Sequence, residues 1–207
     1  LLNAPDVYME KLAIGGGFKK GLVDLDKTPA ENIRALAEAK GVPVHSITAC
    51  VLDRPRHAEI IESIRSVGAR IQLIGDGDVA GVISTTQAHT GVDIYIGTGG
   101  APEGVLAAAA LRCIGGQMQG RLVFSNDEQR ERARKMGIKD LAHKFSMEEM
   151  ASGDVIFSAT GVTDGSMLDG IRREKNGAIT THTVVMRSAT GTVRWIRARF
   201  TDESKFE

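Results

Sequence analysis

Apolar and polar positions alternate with a regular spacing between residues 47 and 123. Short apolar runs are separated by amphipathic stretches of helical length, a pattern that is typical of parallel α/β sheets. The apolar runs predict strands at residues 47–52, 70–74, 92–96 and 118–123. The stretches between them predict helices at residues 56–67, 79–86 and 102–113. The last helix is almost entirely Ala, Val and Leu, so we expect it to be buried between layers and to end at Gly115-Gly116.

Both flanks of this region predict further elements. Upstream, the pattern predicts a short helix at residues 6–12, a flexible break at residues 15–17 and a strand at residues 22–25. Thr28 is followed three residues later by Glu31, a capping-box spacing that predicts a helix running to Lys40. Downstream, the pattern predicts helices at 127–136 and 146–150, a strand at 154–160, and an antiparallel hairpin of 178–187 and 192–200.

The charge balance argues against partners that bind through global electrostatics. Lys and Arg number 26 and Asp and Glu also number 26 in the 207 residues, so the formal net charge is zero. Arg194, Arg197 and Arg199 surround Trp195, which is compatible with a nucleic-acid-binding strand or with a solvated hairpin face. Zero net charge favours the solvated face. We therefore expect no nucleic-acid partner and no membrane partner, and any anion site must be built locally.

Cysteine and histidine usage bears on the compartment and on metal binding. Cys50 and Cys113 lie singly in apolar stretches, which predicts reduced, buried thiols in a cytoplasmic protein rather than a disulfide framework. No apolar run approaches the roughly 20 residues that span a bilayer, and we expect no secretory leader. Because the sequence does not begin with Met, we expect it to be part of something longer. The histidines lack metal spacing and are each expected to be structural or exposed: His45, His57, His89, His143 and His182.

Chemically useful side chains follow the ends of several predicted strands. In parallel sheets ligands bind beyond the carboxyl ends of the strands, so we expect the loops leaving those ends to meet. These loops are residues 53–56, 75–78, 97–104 and 160–165. They offer guanidinium groups, carboxylates, a glycine-rich turn and hydroxyls. The combination predicts a site for a phosphate-containing ligand.

The charged residues of these loops also have plainer interpretations. Arg54 and Arg56 flank Pro55 and suit bidentate contacts with phosphate, unless Pro55 simply starts a helix and both arginines are solvated. Asp76 and Asp78 either ligate a cation or accept hydrogen bonds from sugar hydroxyls, or else one of them caps the next helix. The hydroxyls of the last loop are common turn material.

Glu103 lies at the mouth of the glycine-rich turn, directly after Pro102 at the predicted helix start. Backbone N–H groups at a helix start attract anions, yet Glu103 is itself an anion. A divalent metal that bridges this carboxylate and a phosphate would reconcile the two. Alternatively, Glu103 only complements the positive end of the helix dipole. Both interpretations stay open on the sequence.

Several segments in order along the chain carry a family resemblance. They are residues 4–12 (APDVYMEKL), 55–57 (PRH), 76–80 (DGDVA), 99–105 (GGAPEGV) with the alanine-rich helix and 120–122 (GRL) after it, and 156–161 (IFSATG). Together they resemble the class II fructose-1,6-bisphosphatases of bacteria, whose cyanobacterial forms also accept sedoheptulose 1,7-bisphosphate. Where other members carry Lys before the proline of the 54–56 loop, this chain has Arg54, which keeps the charge.

The resemblance implies a layered α/β sandwich of the inositol-phosphatase and sugar-phosphatase type, here with a C-terminal antiparallel hairpin. It implies a homo-oligomeric, Mn²⁺- or Mg²⁺-dependent enzyme of gluconeogenesis that hydrolyses the C1 phosphate of fructose 1,6-bisphosphate to fructose 6-phosphate and phosphate. Glu103 is implied as a metal ligand. The residues implied to contact the sugar bisphosphate are Tyr8, Arg54, Pro55, Arg56, Asp76, Gly77, Asp78 and Gly100. Sedoheptulose 1,7-bisphosphate is an alternative substrate, and a non-catalytic sugar-phosphate-binding fragment is an alternative function.

The resemblance also implies how the chain is divided. In that family the other acidic metal ligands, and a threonine that helps to activate water, precede the tyrosine segment. We therefore expect residues 1–46 to be the C-terminal remainder of an N-terminal sugar-phosphatase domain, 47–160 to be the substrate- and metal-binding domain, and 161–207 to be a β hairpin returning to the core. We expect no catalytic residue in this chain and a missing N-terminal segment that completes the site, so the isolated chain is expected to be inactive.

Overall fold

Residues 1–201 are described in the computed structural model, and they form two β-sheets with helices packed on them. The strands are β1 (Tyr8–Ile14), β2 (Thr48–Leu52), β3 (Arg70–Ile74), β4 (Ile94–Gly100), β5 (Gln117–Val123), β6 (Lys144–Ser146), β7 (Ile156–Thr160), β8 (Arg172–Arg173), β9 (Ile179–Arg187) and β10 (Thr192–Phe200). The helices are α1 (Pro29–Lys40), α2 (Ala58–Ser66), α3 (Asp78–Ser84), α4 (Ala101–Ile114), α5 (Asp127–Lys135) and α6 (Met147–Met150). Short 3₁₀ helices occupy Val44–Ser46, Pro55–His57, Ala88–Thr90 and Ser188–Thr190. Residues 202–207, the end of the predicted segment 161–207, lie outside the described part of the chain.

The first sheet is mixed, with the strand order β3-β2-β4-β1-β5-β6. β2 pairs in parallel with β3 and with β4. β1 lies between β4 and β5 and is antiparallel to both, and β6 is antiparallel to β5. The strands β2, β3, β4 and β5 therefore point in one direction, as predicted, whereas β1 runs against them.

The helix predicted at residues 6–12 is wrong, because this segment forms β1 in the middle of the sheet. Leu12 and Ile14 are buried in the apolar cluster that contains α1 and α2. Met9 and Ala13 are buried on the other face, in the cluster that contains α3 and α4. A strand covered on both faces shows little alternation of polar and apolar residues, so its pattern does not distinguish it from a helix.

The strand predicted at residues 22–25 is also wrong. This segment forms bends and the start of a turn. Val23 is buried in the cluster that contains α1 and α2, and Leu22 and Leu25 pack against the same cluster. The apolar side chains that suggested a strand are therefore buried without joining either sheet.

The triple glycine at residues 15–17 allows close packing where a flexible break was expected. A Cβ on Gly15 would lie 2.6 Å from the carbonyl oxygen of Thr85, and a Cβ on Gly16 would overlap the carbonyl oxygen of Gly115. The absence of a side chain lets these backbones approach one another. Gly15 and Gly16 are therefore required by packing.

The helices predicted around the first sheet are confirmed, with shifted ends. The Thr28 hydroxyl accepts a hydrogen bond from the Glu31 backbone, and the Glu31 side chain accepts one from the Thr28 backbone, so the capping box of α1 is confirmed. α4 is buried along most of its length and ends at Gly115, whose φ of 88° is in the left-handed region. β4 runs on to Gly100, so the glycine-rich segment is partly strand.

The second sheet has the strand order β10-β9-β7, and β8 pairs with β9. β9 and β10 form the predicted antiparallel hairpin. Phe157 of β7 and Val184 and Met186 of β9 are buried in the cluster that contains α4. The layers in order are thus α1 with α2, the first sheet, α3 with α4, and the second sheet.

Both cysteines are buried free thiols, as predicted. Burial raises the pKa of the Cys50 thiol to about 11, which suppresses its reactive thiolate form at neutral pH. Within residues 1–201, the helices are all too short or too polar to cross a lipid bilayer.

Candidate functional site

The carboxyl end of the first sheet brings together the loops after β2, β3 and β4 and the start of β1. Because β1 is antiparallel to β4, Tyr8 pairs with Gly100. The first residues of β1 therefore lie where β4 ends and α4 begins. We call the predicted site residues at this end the rim: Tyr8, Arg54, Pro55, Arg56, Asp76, Gly77, Asp78, Gly100 and Glu103.

The Arg56 guanidinium joins three parts of the rim. Its Nε and Nη2 atoms both donate to the carbonyl oxygen of Thr98 on β4, at 3.0 and 2.7 Å. Its Cζ atom lies 4.8 Å from the centroid of the Tyr8 ring on β1. Since Arg56 itself belongs to the 3₁₀ helix after β2, these contacts fix its plane from two neighbouring strands. The side chain remains exposed, so an anion can reach it.

His57 follows Arg56 in the chain and is completely buried. Its Nε2 atom accepts a hydrogen bond from the Thr98 backbone N–H at 2.8 Å. Its Nδ1 atom lies 2.7 Å from the Leu52 carbonyl oxygen, so Nδ1 carries the proton and donates it. The neutral ring clamps the loop after β2 to β4, which confirms the predicted structural role of this histidine.

Arg54 adopts a different arrangement from Arg56. Its Nη1 atom donates to the carbonyl oxygen of the adjacent Asp53 at 2.8 Å, and its side chain is partly buried. Pro55 separates the two arginines at the start of the 3₁₀ helix. The predicted pair of cations is therefore present on one loop, with Arg56 held by the sheet and Arg54 held by its own loop.

The two aspartates of the loop after β3 have different surroundings. Asp76 is exposed, whereas Asp78 is buried in the first turn of α3. Gly77 between them has a φ of 73°, a left-handed conformation that glycine adopts readily. The Asp78 carboxylate forms an ion pair with Lys11 of β1. The capping interpretation does not apply, because Gly77 is the N-cap residue and no side chain caps α3.

Lys11 is the residue at the rim that sequence reasoning missed. It is one of the few buried charged residues of the described chain, with 1% of its surface exposed. A lone lysine is ordinarily solvated, so nothing in its own neighbourhood suggests burial. The sequence signals that bear on this burial are two distant glycines, Gly99 and Gly104, because a Cβ at either position would lie 3.1 Å from the Lys11 side chain.

Glu103 projects from the first turn of α4 and is exposed. Its carboxylate lies over Gly100, so closely that a Cβ on Gly100 would overlap it. No side chain caps this helix, and the position of Glu103 complements its positive end. Gly100 pairs with Tyr8, and the Arg56 guanidinium lies over the Tyr8 ring. Glu103 and Arg56 therefore belong to one continuous surface.

The loop after β7 does not join the rim through the first sheet, since β7 belongs to the second sheet. The Thr160 hydroxyl hydrogen bonds with that of Thr183 at 2.8 Å. Asp164 accepts from Arg172 at 2.6 Å, and this hydrogen bond lowers the pKa of its carboxyl. The expected convergence therefore involves the loops after β2, β3 and β4, and the side chains of the fourth loop stabilise the second sheet.

Two large concave surfaces lie elsewhere on the protein. A cavity of about 580 Å³ borders residues 115–119 and 146–148, and one of about 500 Å³ borders Ser46, Arg70 and Val92. Neither lining contains a rim residue. Size alone favours these cavities, but the convergent cations and carboxylates favour the rim as the site of chemistry.

Residues 1–200 match the family described as bacterial fructose-1,6-bisphosphatase, glpX-encoded. The chain belongs to this family. The resemblance carried by the sequence segments is thereby confirmed.

Three curated relatives illustrate the similarity. Each is named D-fructose 1,6-bisphosphatase class 2/sedoheptulose 1,7-bisphosphatase. The proteins of Synechococcus sp. (strain JA-3-3Ab), Trichodesmium erythraeum and Synechocystis sp. (strain ATCC 27184 / PCC 6803 / Kazusa) are 42%, 40% and 39% identical over 209 residues. Each alignment covers 95% of this chain and 60% of the relative, so the chain spans less than two thirds of their length.

A divalent metal, which the bisphosphatase resemblance implies, needs more ligands than the described residues supply. Hard cations such as Mg²⁺ take about six oxygen ligands. Within residues 1–201, no three His, Cys, Asp or Glu side chains come together in a way that could hold an ion. Glu103 can offer one carboxylate at the rim. The residues therefore do not form a metal site by themselves, and we derive no chemical step through a metal.

Proposed function

We propose that the rim binds fructose 1,6-bisphosphate, and that this chain carries the substrate-binding part of a phosphatase that releases the C1 phosphate and leaves fructose 6-phosphate. The main supporting observation is the Arg56 guanidinium, held by Thr98 and Tyr8 next to the start of α4. A fixed, exposed guanidinium beside backbone donors is well suited to a phosphate group. The family match supports a sugar bisphosphate as the ligand.

Arg56 and Arg54 are proposed to grip the phosphate that is retained. The Nε and Nη2 atoms of Arg56 donate to the Thr98 carbonyl oxygen, so its Nη1 atom is the one proposed to contact the phosphate. A guanidinium that is already immobilised loses little conformational entropy when a ligand binds. Arg54 adds a second positive charge two residues away on the same loop, so the pair can neutralise much of one phosphate.

Asp76 and Asp78 are proposed to accept hydrogen bonds from sugar hydroxyls. Carboxylates are strong acceptors, and the bond is stronger when the group is shielded from water. Asp78, with 10% of its side chain exposed, is shielded, whereas Asp76 is open to solvent. Gly77 allows both side chains to be presented from one tight turn. Tyr8 and Gly100, paired across the strands, would border the same ligand.

Glu103 is proposed to be one ligand of a Mn²⁺ or Mg²⁺ ion. Such an ion, when bound, supplies positive charge that neutralises phosphoryl oxygens and favours attack by water. The carboxylate of Glu103 lies on the same surface as Arg56, as that role requires. Because the described residues supply no complete ligand set, we propose that the isolated chain binds substrate without appreciable hydrolysis.

The arrangement of the intact protein is proposed from the family. We propose a cytoplasmic homo-oligomer in which segments that complete the metal site cooperate with the rim. The layers of helices and sheets described above are compatible with the sugar-phosphatase sandwich. The division at residues 1–46, 47–160 and 161–207 stays a prediction.

Two alternatives have specific support. The relatives' names include sedoheptulose 1,7-bisphosphatase, which favours a heptulose bisphosphate as a second substrate. The absence of a metal-ligand cluster within residues 1–201 favours a non-catalytic sugar-phosphate-binding fragment.

Calorimetry on the chain tests the proposal directly. Fructose 1,6-bisphosphate is titrated into the wild type and into Arg56→Ala, and phosphate release is followed in parallel. We expect saturable binding by the wild type, weaker binding by the variant, and no appreciable release of phosphate. Absence of wild-type binding to fructose 1,6-bisphosphate and to sedoheptulose 1,7-bisphosphate would overturn the proposal. Hydrolysis by the isolated chain at an ordinary enzyme rate would overturn the assignment of chemistry to other segments.

A further inference from the structure

A lysine side chain is buried in the centre of the first sheet, directly behind the rim. Lys11 belongs to β1, and its side chain has no exposed surface. Its Nζ atom donates to Oδ2 of Asp78 in the first turn of α3. The pair thus joins the central strand to the helix that presents one of the proposed sugar-binding carboxylates.

Glycines on β4 and on α4 lie directly against this side chain. Lys11 pairs with Gly97 of β4 and with Gly120 of β5. A Cβ on Gly99 would lie 3.1 Å from the Lys11 Nζ atom and would overlap the Asp78 carboxylate. A Cβ on Gly104 of α4 would lie 3.1 Å from the Lys11 Cε atom. A side chain at Gly99 would therefore displace the Asp78 carboxylate, whereas a side chain at Gly104 would first meet Met9 Sδ at 2.5 Å.

A contribution to stability does not by itself explain why Lys11 and Asp78 form a buried ion pair. The desolvation of two charges offsets much of their attraction, and apolar residues of the same volume are often equally stable or more stable. Tyr95 adds to the polar character of the region, since its hydroxyl is buried and has no hydrogen-bond partner among the described residues. Burial, and then the charge of Asp78, raise the pKa of Tyr95 well above its ordinary value. A polar interior beside a ligand surface is more readily explained by recognition than by stability.

We propose that Lys11 is a positioning residue that holds the Asp78 carboxylate in a fixed orientation, so that its Oδ1 atom can accept a hydrogen bond from a sugar hydroxyl. This inference rests on the proposed function of the rim. Lys11 does not touch the ligand, because it is fully buried. Lys11 therefore increases the preference for a bisphosphate that bears hydroxyls over one that lacks them. Arg54 and Arg56 bind the phosphates of either ligand.

A double-mutant cycle on that preference tests the inference. Each protein is titrated in EDTA with fructose 1,6-bisphosphate and with hexane-1,6-diol bisphosphate, and calorimetry gives the ratio of the two affinities. The proteins compared are the wild type, Lys11→Met, Asp78→Asn and the double variant. We expect the wild type to prefer the sugar, and each single variant to lose roughly tenfold of that preference, the scale of one charge-assisted hydrogen bond. The double variant should lose no more than Asp78→Asn alone, because the lysine acts through the carboxylate. Affinity for the diol bisphosphate is the internal reference, because a change of charge or of fold at this position acts on both ligands.

The outcomes separate this inference from the proposed function. An undiminished sugar preference in Lys11→Met, or a further loss of about threefold or more in the double variant relative to Asp78→Asn, would overturn it. If Lys11→Met does not fold, the double variant, in which both partners are neutral, is compared with Asp78→Asn. Equal sugar preferences support the inference, and a further loss of about threefold or more overturns it. A wild type that binds neither bisphosphate would overturn the proposed function and this inference with it.

Discussion

Arg56 lies over the ring of Tyr8, with its Cζ atom 4.8 Å from the ring centroid. The two residues come from opposite sides of β4, one from the loop after β2 and the other from β1. A cation over an aromatic face at this distance gains roughly 0.5–1 kcal/mol at an exposed site. Tyr8 therefore helps to orient the guanidinium, although 48 positions separate the two residues along the chain.

Replacing Arg56 with alanine should weaken the binding of sugar bisphosphate. The change removes a fixed, charged donor, and hydrogen bonds to charged groups contribute about 1.5–3 kcal/mol, which corresponds to roughly 10- to 150-fold in Kd. The measurement is calorimetric titration with fructose 1,6-bisphosphate. Arg65→Ala on the exposed surface of α2 is the matched control and should bind as the wild type does. Equal losses in the two variants would show that Arg56 contributes only to overall charge.

Replacing Glu103 with glutamine should affect turnover far more than substrate affinity. The change keeps the size of the side chain and removes the charge proposed to hold a metal. We expect kcat of the full natural gene product to fall on the order of 100-fold with little change in KM, because the lost interaction acts on the reacting phosphate. Binding of Mn²⁺ followed by electron paramagnetic resonance should weaken in parallel. Unchanged Mn²⁺ affinity would leave Glu103 with only its role at the helix start.

The ion cluster around Lys144 should make stability depend on pH. Lys144 donates to Asp24 and Asp26 at 2.5 and 2.6 Å, and Arg121 also binds Asp26. The hydrogen bond from Lys144, followed by that from Arg121, lowers the pKa of Asp26 below its ordinary 3.8. A carboxyl with a lowered pKa stabilises the fold above its ordinary pKa, and this contribution is lost as pH falls through the folded value. The same cluster raises the pKa of Lys144, so the contribution also fades at strongly alkaline pH.

The variant Lys144→Met should therefore melt at a lower temperature than the wild type at pH 7, and the two melting temperatures should converge below about pH 3. Thermal unfolding followed by circular dichroism from pH 2.5 to 8 measures this difference. Lys139→Met removes an exposed lysine of the same size and charge and should leave the wild-type pH profile unchanged. A constant difference between Lys144→Met and the wild type at all pH values would contradict the prediction.

Removing the N-cap of α1 should cost measurable stability. The Thr28 hydroxyl accepts from the Glu31 backbone at 3.2 Å, and Thr28→Ala leaves that donor without its partner. N-cap substitutions of this kind cost about 1 kcal/mol in the free energy of unfolding. Urea denaturation measures the loss, and Thr28→Ser, which keeps the hydroxyl, should recover most of it. If Thr28→Ser is as unstable as Thr28→Ala, packing of the threonine methyl and not capping sets the stability.

The alternating part of the fold could be predicted because its local signals agree with the tertiary structure. β3 has its predicted bounds, and α4 begins within one residue of Pro102, where proline and the glycine-rich turn both favour a helix start. The parallel strands β2, β3 and β4 then brought the loops with Arg56, Asp78 and Glu103 to the same end of the sheet. The rim was predictable to this extent from the positions of strand ends.

The rest depends on long-range contacts that leave no local pattern. The pattern of β1 predicts a helix because both faces of this strand are covered. The pattern of β7 predicts a strand but does not indicate the sheet to which it belongs. Lys11 shows the same limit, since its burial is set by glycines that lie more than 80 residues further along the chain. A sequence pattern indicates that one face of a strand or helix is buried, but it does not indicate which distant element covers that face.

The position of β1 has a consequence for how the protein acquires its binding surface. Ile14 pairs with Ile94 and Tyr8 pairs with Val123, so this strand closes loops of roughly a hundred residues. Such distant pairing slows folding, because chain entropy is lost before the ladder forms. During synthesis, Tyr8 and Lys11 can take their final places only after Val123 has left the ribosome. A nascent chain shorter than that lacks the ladder between β1 and β5 and therefore the completed rim.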